Sequence, residues 1–224
     1  LKLEPQSAEW NTFFDLAAAE TGRIPAQMRG SPAVREQLPG IFRTLRTERA
    51  RQTPWVKSVD LEFWAALYDA PGMLPQLVRR LVHATVDSLI RVDFPAGEGV
   101  QRRGWDGILE VQRGTPFVPA GLSGWEMGTG KDPAGKAEKD FRNRVKNPCG
   151  LDKSQTSFVF VTPRKWEQKD KWCAEKKKLG IWRDVRVHDS ANIEQWLEIA
   201  PRVDLWFARH LGRRPEGIMG GGGS

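Results

Sequence analysis

Cysteine is scarce in this chain: Cys149 and Cys173 are the only two among 224 residues. That is too few for a disulfide framework or a cysteine-based zinc cluster, and it fits a reducing, cytoplasmic compartment. Histidine is nearly as rare, with His83, His188 and His210 as the full set. His188 and His210 have no metal-ligand spacing with the cysteines, so no Zn site is expected, while His83 falls near an apolar helical stripe, as a core or boundary histidine would. No apolar run approaches the roughly 20 residues that a membrane span needs, so no membrane partner is expected. A phosphate loop is also missing, because Gly121 to Lys131 lacks the required spacing and the Gly-Lys-Ser/Thr ending, which argues against ATP hydrolysis. Acidic residues are outnumbered, 28 Asp and Glu against 35 Lys and Arg, for a formal charge of +7. Such a balance suits a polyanionic partner, nucleic acid first among them. Neither Met nor a basic-plus-apolar leader stands at Leu1, so the chain is expected to be excised from something longer rather than targeted for export.

What is present divides into three stretches. Residues 1–72 are helical in flavour, with Trp10, Phe13, Phe14 and Ala17 at helical spacing, as are Phe63, Trp64, Leu67 and Tyr68, between the punctuating Pro25, Pro32, Pro39 and Pro54. Within it, Arg29, Arg35, Arg43, Arg46, Arg49 and Arg51 surround Leu38, Ile41, Phe42 and Leu45, a basic amphipathic pattern that suits either a solvated face or phosphate contact. Residues 73–214 alternate helical and strand patterns, and residues 215–224 end in a Gly-rich linker that resembles a fusion scar.

The middle stretch carries the fold. Leu74, Leu77, Val78, Leu81, Val82 and Thr85 form a helical stripe. Strands follow at Leu89 to Phe94, around Asp106, and at Leu122 to Gly128, then a helix from Pro133 to Asn147. On that helix Lys136, Asp140 and Arg144 share one face at i, i+4 spacing, with Ala137 and Phe141 offset toward another. Ser157 to Thr162 is an uninterrupted apolar run, predicted to be a strand buried on both faces at the centre of the sheet. Lys165 to Leu179 reads as a very basic helix, Val185 to Val187 as a short strand, and Asn192 opens a last helical pair.

Two segments carry the chemistry: Arg103-Gly104-Trp105-Asp106-Gly107-Ile108-Leu109-Glu110, and Ser123-Gly124-Trp125-Glu126-Met127-Gly128-Thr129-Gly130-Lys131. Each puts a carboxylate in a strand-like, Trp-bearing stretch, where Asp is disfavoured and an ionised acid near an apolar core is costly unless paired or coordinating a cation. Mg²⁺ held by one or two carboxylates, with a lysine to steady an attacking water, is one explanation. The alternative is structural: Asp106-Gly107 is also a hairpin-turn dipeptide, and Glu126 could lie on a solvated face.

The order helix, three strands, helix, strand resembles the αβββαβ core of the restriction-endonuclease-like, or PD-(D/E)xK, nuclease superfamily. Gly104-Trp105-Asp106-Gly107, Trp125-Glu126, Phe158 to Arg164 and Glu194 to Glu198 also look like nuclease-type domains attached to large bacterial anti-phage defence proteins. The resemblance implies an α/β domain with a central mixed sheet flanked by helices, acting as a metal-dependent DNA endonuclease. It implies Asp106 and Glu126 as catalytic acids and ligands of Mg²⁺, or Mn²⁺ in its place. Glu110, which shares Asp106's strand face, is a further candidate ligand, with an exposed pairing role as the alternative. Where the superfamily places lysine two residues after the second acid, this chain has Gly128. Lys131, nearest Glu126 in the loop, ranks just ahead of Lys136 as the substitute.

Phosphate contacts are expected from Lys165, Lys169, Lys171, Lys176 and Lys177, implying little sequence preference and strong salt dependence. Most of the ten tryptophans fall on apolar faces, with Trp166 and Trp172 beside the lysines as candidates for base stacking. Further partners would be other domains of a larger parent protein, with homo-oligomerisation left open. The alternative function is a nuclease-fold module whose site has decayed and which binds nucleic acid or a protein; a recruitment role for the helical region, as a fragment of a preceding domain, is another.

Overall fold

A computed structural model of the chain describes residues 54–95 and 104–213. The chain divides into two compact units, Leu1–Gln52 and Thr53–Ser224, and the described residues belong to the second. The helical segments expected before residue 54, the arginines from Arg29 to Arg51, Arg103 and the Gly-rich tail lie outside them.

Two helices open the described part, α1 (Ser58–Trp64) and α2 (Ala70–Thr85), followed by strands β1 (Leu89–Asp93), β2 (Gly107–Val111) and β3 (Gly121–Met127). Then come α3 (Pro133–Lys146), β4 (Thr156–Val161), α4 (Lys169–Lys178), β5 (Asp184–His188), α5 (Ser190–Glu198) and α6 (Pro201–His210). The five strands form one mixed sheet in sequence order, β1 to β3 antiparallel and β3 to β5 parallel. This is an α/β fold with helices on both faces of the sheet.

Local chemistry sets the helix ends. Pro133 starts α3 with its fixed φ, the Asp132 carboxylate accepts from Gly135 N at 2.8 Å, and the helix stops at Asn147, which Pro148 drives into an extended conformation. Asp189 caps α5, with Asn192 closing a capping box. α1 packs on α5. Ser58 N donates to Glu194 at 2.6 Å, and Trp55 N and Val56 N donate to the buried Asp204 at 2.8 and 3.0 Å. Helix α1, which the sequence reading grouped with residues 1–72, is thereby bound into the same core as the sheet.

The period-two alternation of the strands separates two cores. Val159 and Val161 join Leu109, Val111, Trp125 and Met127 beneath α2, α5 and α6, while Phe158 and Phe160 face Ala137 and Phe141 of α3 and Trp172 of α4. Every residue of β4 is buried, as the apolar run predicted. The middle strand is nonetheless β3, because β4 lies one place off centre. The basic helix is shorter than expected, starting at Lys169. Trp166 and Trp172, singled out for base stacking, are buried in the second core, so their rings are not presented to a base. His83 is exposed on α2 rather than at the core boundary.

Candidate active site

Asp106 lies just before β2 rather than within it. The β2–β3 ladder pairs Gly107 with Trp125, so one step outward Asp106 faces Glu126, and side chains directly opposite in an antiparallel pair share a face. Asp106 Oδ2 accepts from Met127 N at 2.8 Å, which fixes it against the end of β3. Glu126 is on the α3 side of the sheet and only 3% exposed.

Across from these acids runs the polar stripe of α3. Arg144 Nε donates to Glu126 Oε1, while its other nitrogens donate to Gly104 O and, at 3.3 Å, to Cys149 Sγ. Its guanidinium also lies 5.1 Å from the Trp105 ring centroid. Lys136 Nζ holds the buried Asp140 carboxylate at 2.6 Å. The i, i+4 spacing that stacks Lys136, Asp140 and Arg144 therefore aims them at the acids, and Ala137 and Phe141, one position on, fill the aromatic core. Asp140 and Arg144 are site residues the sequence reading did not single out. Their shared helical face was visible, but the face turned toward Glu126 was not.

The electrostatics follow from crowding acids into a dry place. Burial, reinforced by the charge of Asp106, pushes the Glu126 carboxyl up to about 8 against the opposing Arg144 bond. Burial likewise raises Asp140, with Lys136 opposing. For Arg144, burial works against the charge but the bond to Glu126 outweighs it, and its pKa stands above the ordinary value.

A cleft of about 310 Å³ opens at the C-terminal end of β3, lined by Asp106 but not by the buried Glu126. Pro71, Leu74 and Pro75 of α2 form one wall, Asp106 and the loop from Met127 to Gly130 its floor, and Lys136 the other side. A side chain at position 128 would press on Lys136 Cγ and Phe160 Cζ, so the glycine leaves room for the lysine to cross it. Arg164 fixes the loop from behind, donating to Thr129 O and to Glu62 O of α1, both at 3.0 Å.

The two candidate lysines are thus separated: Lys136 lines the cleft, whereas Lys131 is exposed on the loop and is not part of its lining. That placement favours the lysine the sequence ranked second. Glu110 shares Asp106's face but stands four residues away, a rise of roughly 13 Å, so the two do not share one ion. The basic helix is largely committed to internal pairs. Lys169 meets Asp189 at 2.9 Å, Lys176 meets Glu138 at 2.7 Å over the Phe141 and Trp172 rings, and Lys177 meets Asp184 at 2.9 Å. Lys165 pairs with Glu167 at the surface, and Lys171 is exposed.

The oxygen donors Asp106 and Glu126 fit a hard divalent cation, whose charge would offset the burial and the Asp106 repulsion that together raise Glu126. Among the described residues no three or more His, Cys, Asp or Glu side chains are grouped to hold a metal. An ion here would rest on two carboxylates and on water or substrate oxygens, the ordinary way of holding Mg²⁺. Among the described residues no helix is long and apolar enough to cross a membrane. No family model, curated protein or solved structure matches the chain.

Proposed function

We propose that this chain is a metal-dependent DNA endonuclease built on a restriction-endonuclease-like core. One observation carries the reading: acids from β2's start and from β3 meet at a strand end where a lysine from the next helix crosses a glycine. The order αβββαβ, with two antiparallel and then two parallel ladders, supports the same fold family.

Asp106 and Glu126 would hold Mg²⁺, or Mn²⁺ in its place. When bound, such an ion polarises the phosphate and lowers the pKa of a water. Asp106 is aimed by the Met127 N–H. Lys136, the only cation lining the cleft among the described residues, orients the attacking water or stabilises the charge that develops on the phosphate oxygens. Asp140 holds that ammonium by its 2.6 Å bond. The chain would serve as the effector module of a larger bacterial anti-phage protein in the cytoplasm. DNA would be gripped through its phosphates, with the exposed Lys171, and Lys165 whose surface pair is with the exposed Glu167, as the most accessible of the five expected contacts.

A second reading is favoured by one feature. Both cations of the site are already engaged, Arg144 by Glu126 and Lys136 by Asp140, as they would be in a decayed site kept for binding DNA or a protein. Incubating supercoiled plasmid with the protein separates the two. The enzyme reading requires cleavage that appears with Mg²⁺ or Mn²⁺ and vanishes with a chelator, while the binding reading requires retention without cleavage.

A further inference from the structure

Arg144 is the most heavily held cation in the molecule's cleft region. Its three donor nitrogens reach Glu126 Oε1, Gly104 O and Cys149 Sγ, and its guanidinium lies over the Trp105 ring. Glu126 is buried with it, and the side chains are 16% and 4% exposed. A guanidinium does not lose its proton in a protein, so a full positive charge stands permanently against a carboxyl oxygen of the acid pair. A divalent ion and a guanidinium repel each other, and both draw on Glu126. The interaction is therefore a competition for one carboxylate.

We propose that Arg144 is the resident counter-cation of the Asp106–Glu126 pair, and that a divalent ion gains Glu126 only by displacing it. This rests on the nuclease reading and adds regulation of the same site. The apparent metal affinity is the intrinsic affinity multiplied by the fraction of molecules in which Arg144 has left Glu126. If about nine molecules in ten are closed, affinity drops roughly tenfold. Arg144 is a positioning residue here, acting through Glu126 and not on substrate. The acceptors other than Glu126, Gly104 O and Cys149 Sγ, lie on the loops flanking the site, so a guanidinium released from Glu126 keeps anchors nearby.

Calorimetric titration of Mn²⁺ without DNA tests this independently of catalysis. Arg144→Gln is expected to bind Mn²⁺ on the order of tenfold more tightly than the parent, and adding Glu126→Gln to it should abolish the gain. Equal or weaker binding by Arg144→Gln overturns the proposal. Because removing Arg144 leaves a buried acid unpaired, the unaltered protein provides a second measurement. On titration with diamagnetic Mg²⁺, the Arg144 Nε–H resonance should shift as its acceptor is lost, and a saturating Mg²⁺ response that leaves it unmoved overturns the proposal. The two layers fail differently. Tighter binding by Arg144→Gln with no DNA cleavage by any variant supports the competition and sinks the nuclease reading. Cleavage by a parent whose Mn²⁺ affinity is indifferent to Arg144 does the reverse.

Discussion

A Cβ built on Gly128 would stand 2.8 Å from Lys136 Cγ. The residue missing from the expected Glu-x-Lys pattern and the lysine that could replace it are thus in direct contact. The constraint at Gly128 is space, since its φ is not among the positive values found at Gly104, Gly121, Gly150, Gly180 and Gly212. Gly128→Ala should push Lys136 from the cleft and slow cleavage by about 10–100-fold, while stability changes by no more than about 1 kcal/mol. In a Lys136→Ala background, Gly128→Lys should recover part of the lost rate. Cleavage assays with parallel urea melts check both.

The proposed metal-binding role of Asp106 and its bond to Met127 N can be separated by substitution. Asp106→Asn keeps an oxygen for the Met127 N–H but loses the charge, so it should fold like the parent, fail to cleave and retain DNA. Asp106→Ala also deletes that bond and should unfold with about 1 kcal/mol less stability. Plasmid cleavage, filter retention of DNA and denaturant midpoints distinguish the variants.

The raised Glu126 carboxyl makes a signed statement about pH. Its folded pKa of about 8 lies above the ordinary 4.5, so between these values the folded state keeps a proton that the unfolded state has lost. Its contribution to stability is fully present below pH 4.5 and is lost as pH rises through 8. Asp140 acts in the same direction. His188, buried with Nε2 at 2.7 Å from Phe117 O and lowered to about 4, acts oppositely, removing stability as pH falls below 6.5. The difference between parent and Glu126→Gln melting curves isolates the Glu126 part. From pH 5 to 8 the parent should lose stability relative to Glu126→Gln, and a difference that is flat across that range would contradict the assignment.

The lysines of α4 should divide by their partners. Lys169→Ala removes the counter-charge of Asp189, which also caps α5 and accepts from Trp166 N, and should cost about 1–3 kcal/mol without altering the salt dependence of DNA binding. Lys171→Ala should leave stability unchanged and flatten the slope of log K against log salt by nearly one unit if it touches a phosphate. Fluorescence anisotropy over a salt series, beside thermal melts, reads both.

Much of the element order was legible because its signals are local. The stripe Leu74 to Val82, the apolar run of β4 and the Pro133 start each report on neighbours in sequence. What escaped was long-range. The β4 run reports burial on two faces but not a place beside the middle strand, and the lysines of α4 look solvated until Asp189 and Glu138, 20 and 38 residues away, are brought beside them. Asp106 and Glu126 were readable as an acid pair because two neighbouring strands place them in register. Arg144 was readable only as part of a stripe, since spacing on a helix says which side chains stand together and not what they face.

The most direct measurement is Mg²⁺-dependent DNA cleavage by Lys136→Ala beside Lys131→Ala, with folding verified by circular dichroism. The proposed chemistry rests on Asp106, Glu126 and Lys136, of which Asp106 and Lys136 line the cleft, so Lys136→Ala should lose cleavage while retaining DNA, and Lys131→Ala should cut at close to the parental rate. Parental cleavage by a folded Lys136→Ala, or no divalent-dependent cleavage by the unaltered chain, would contradict it.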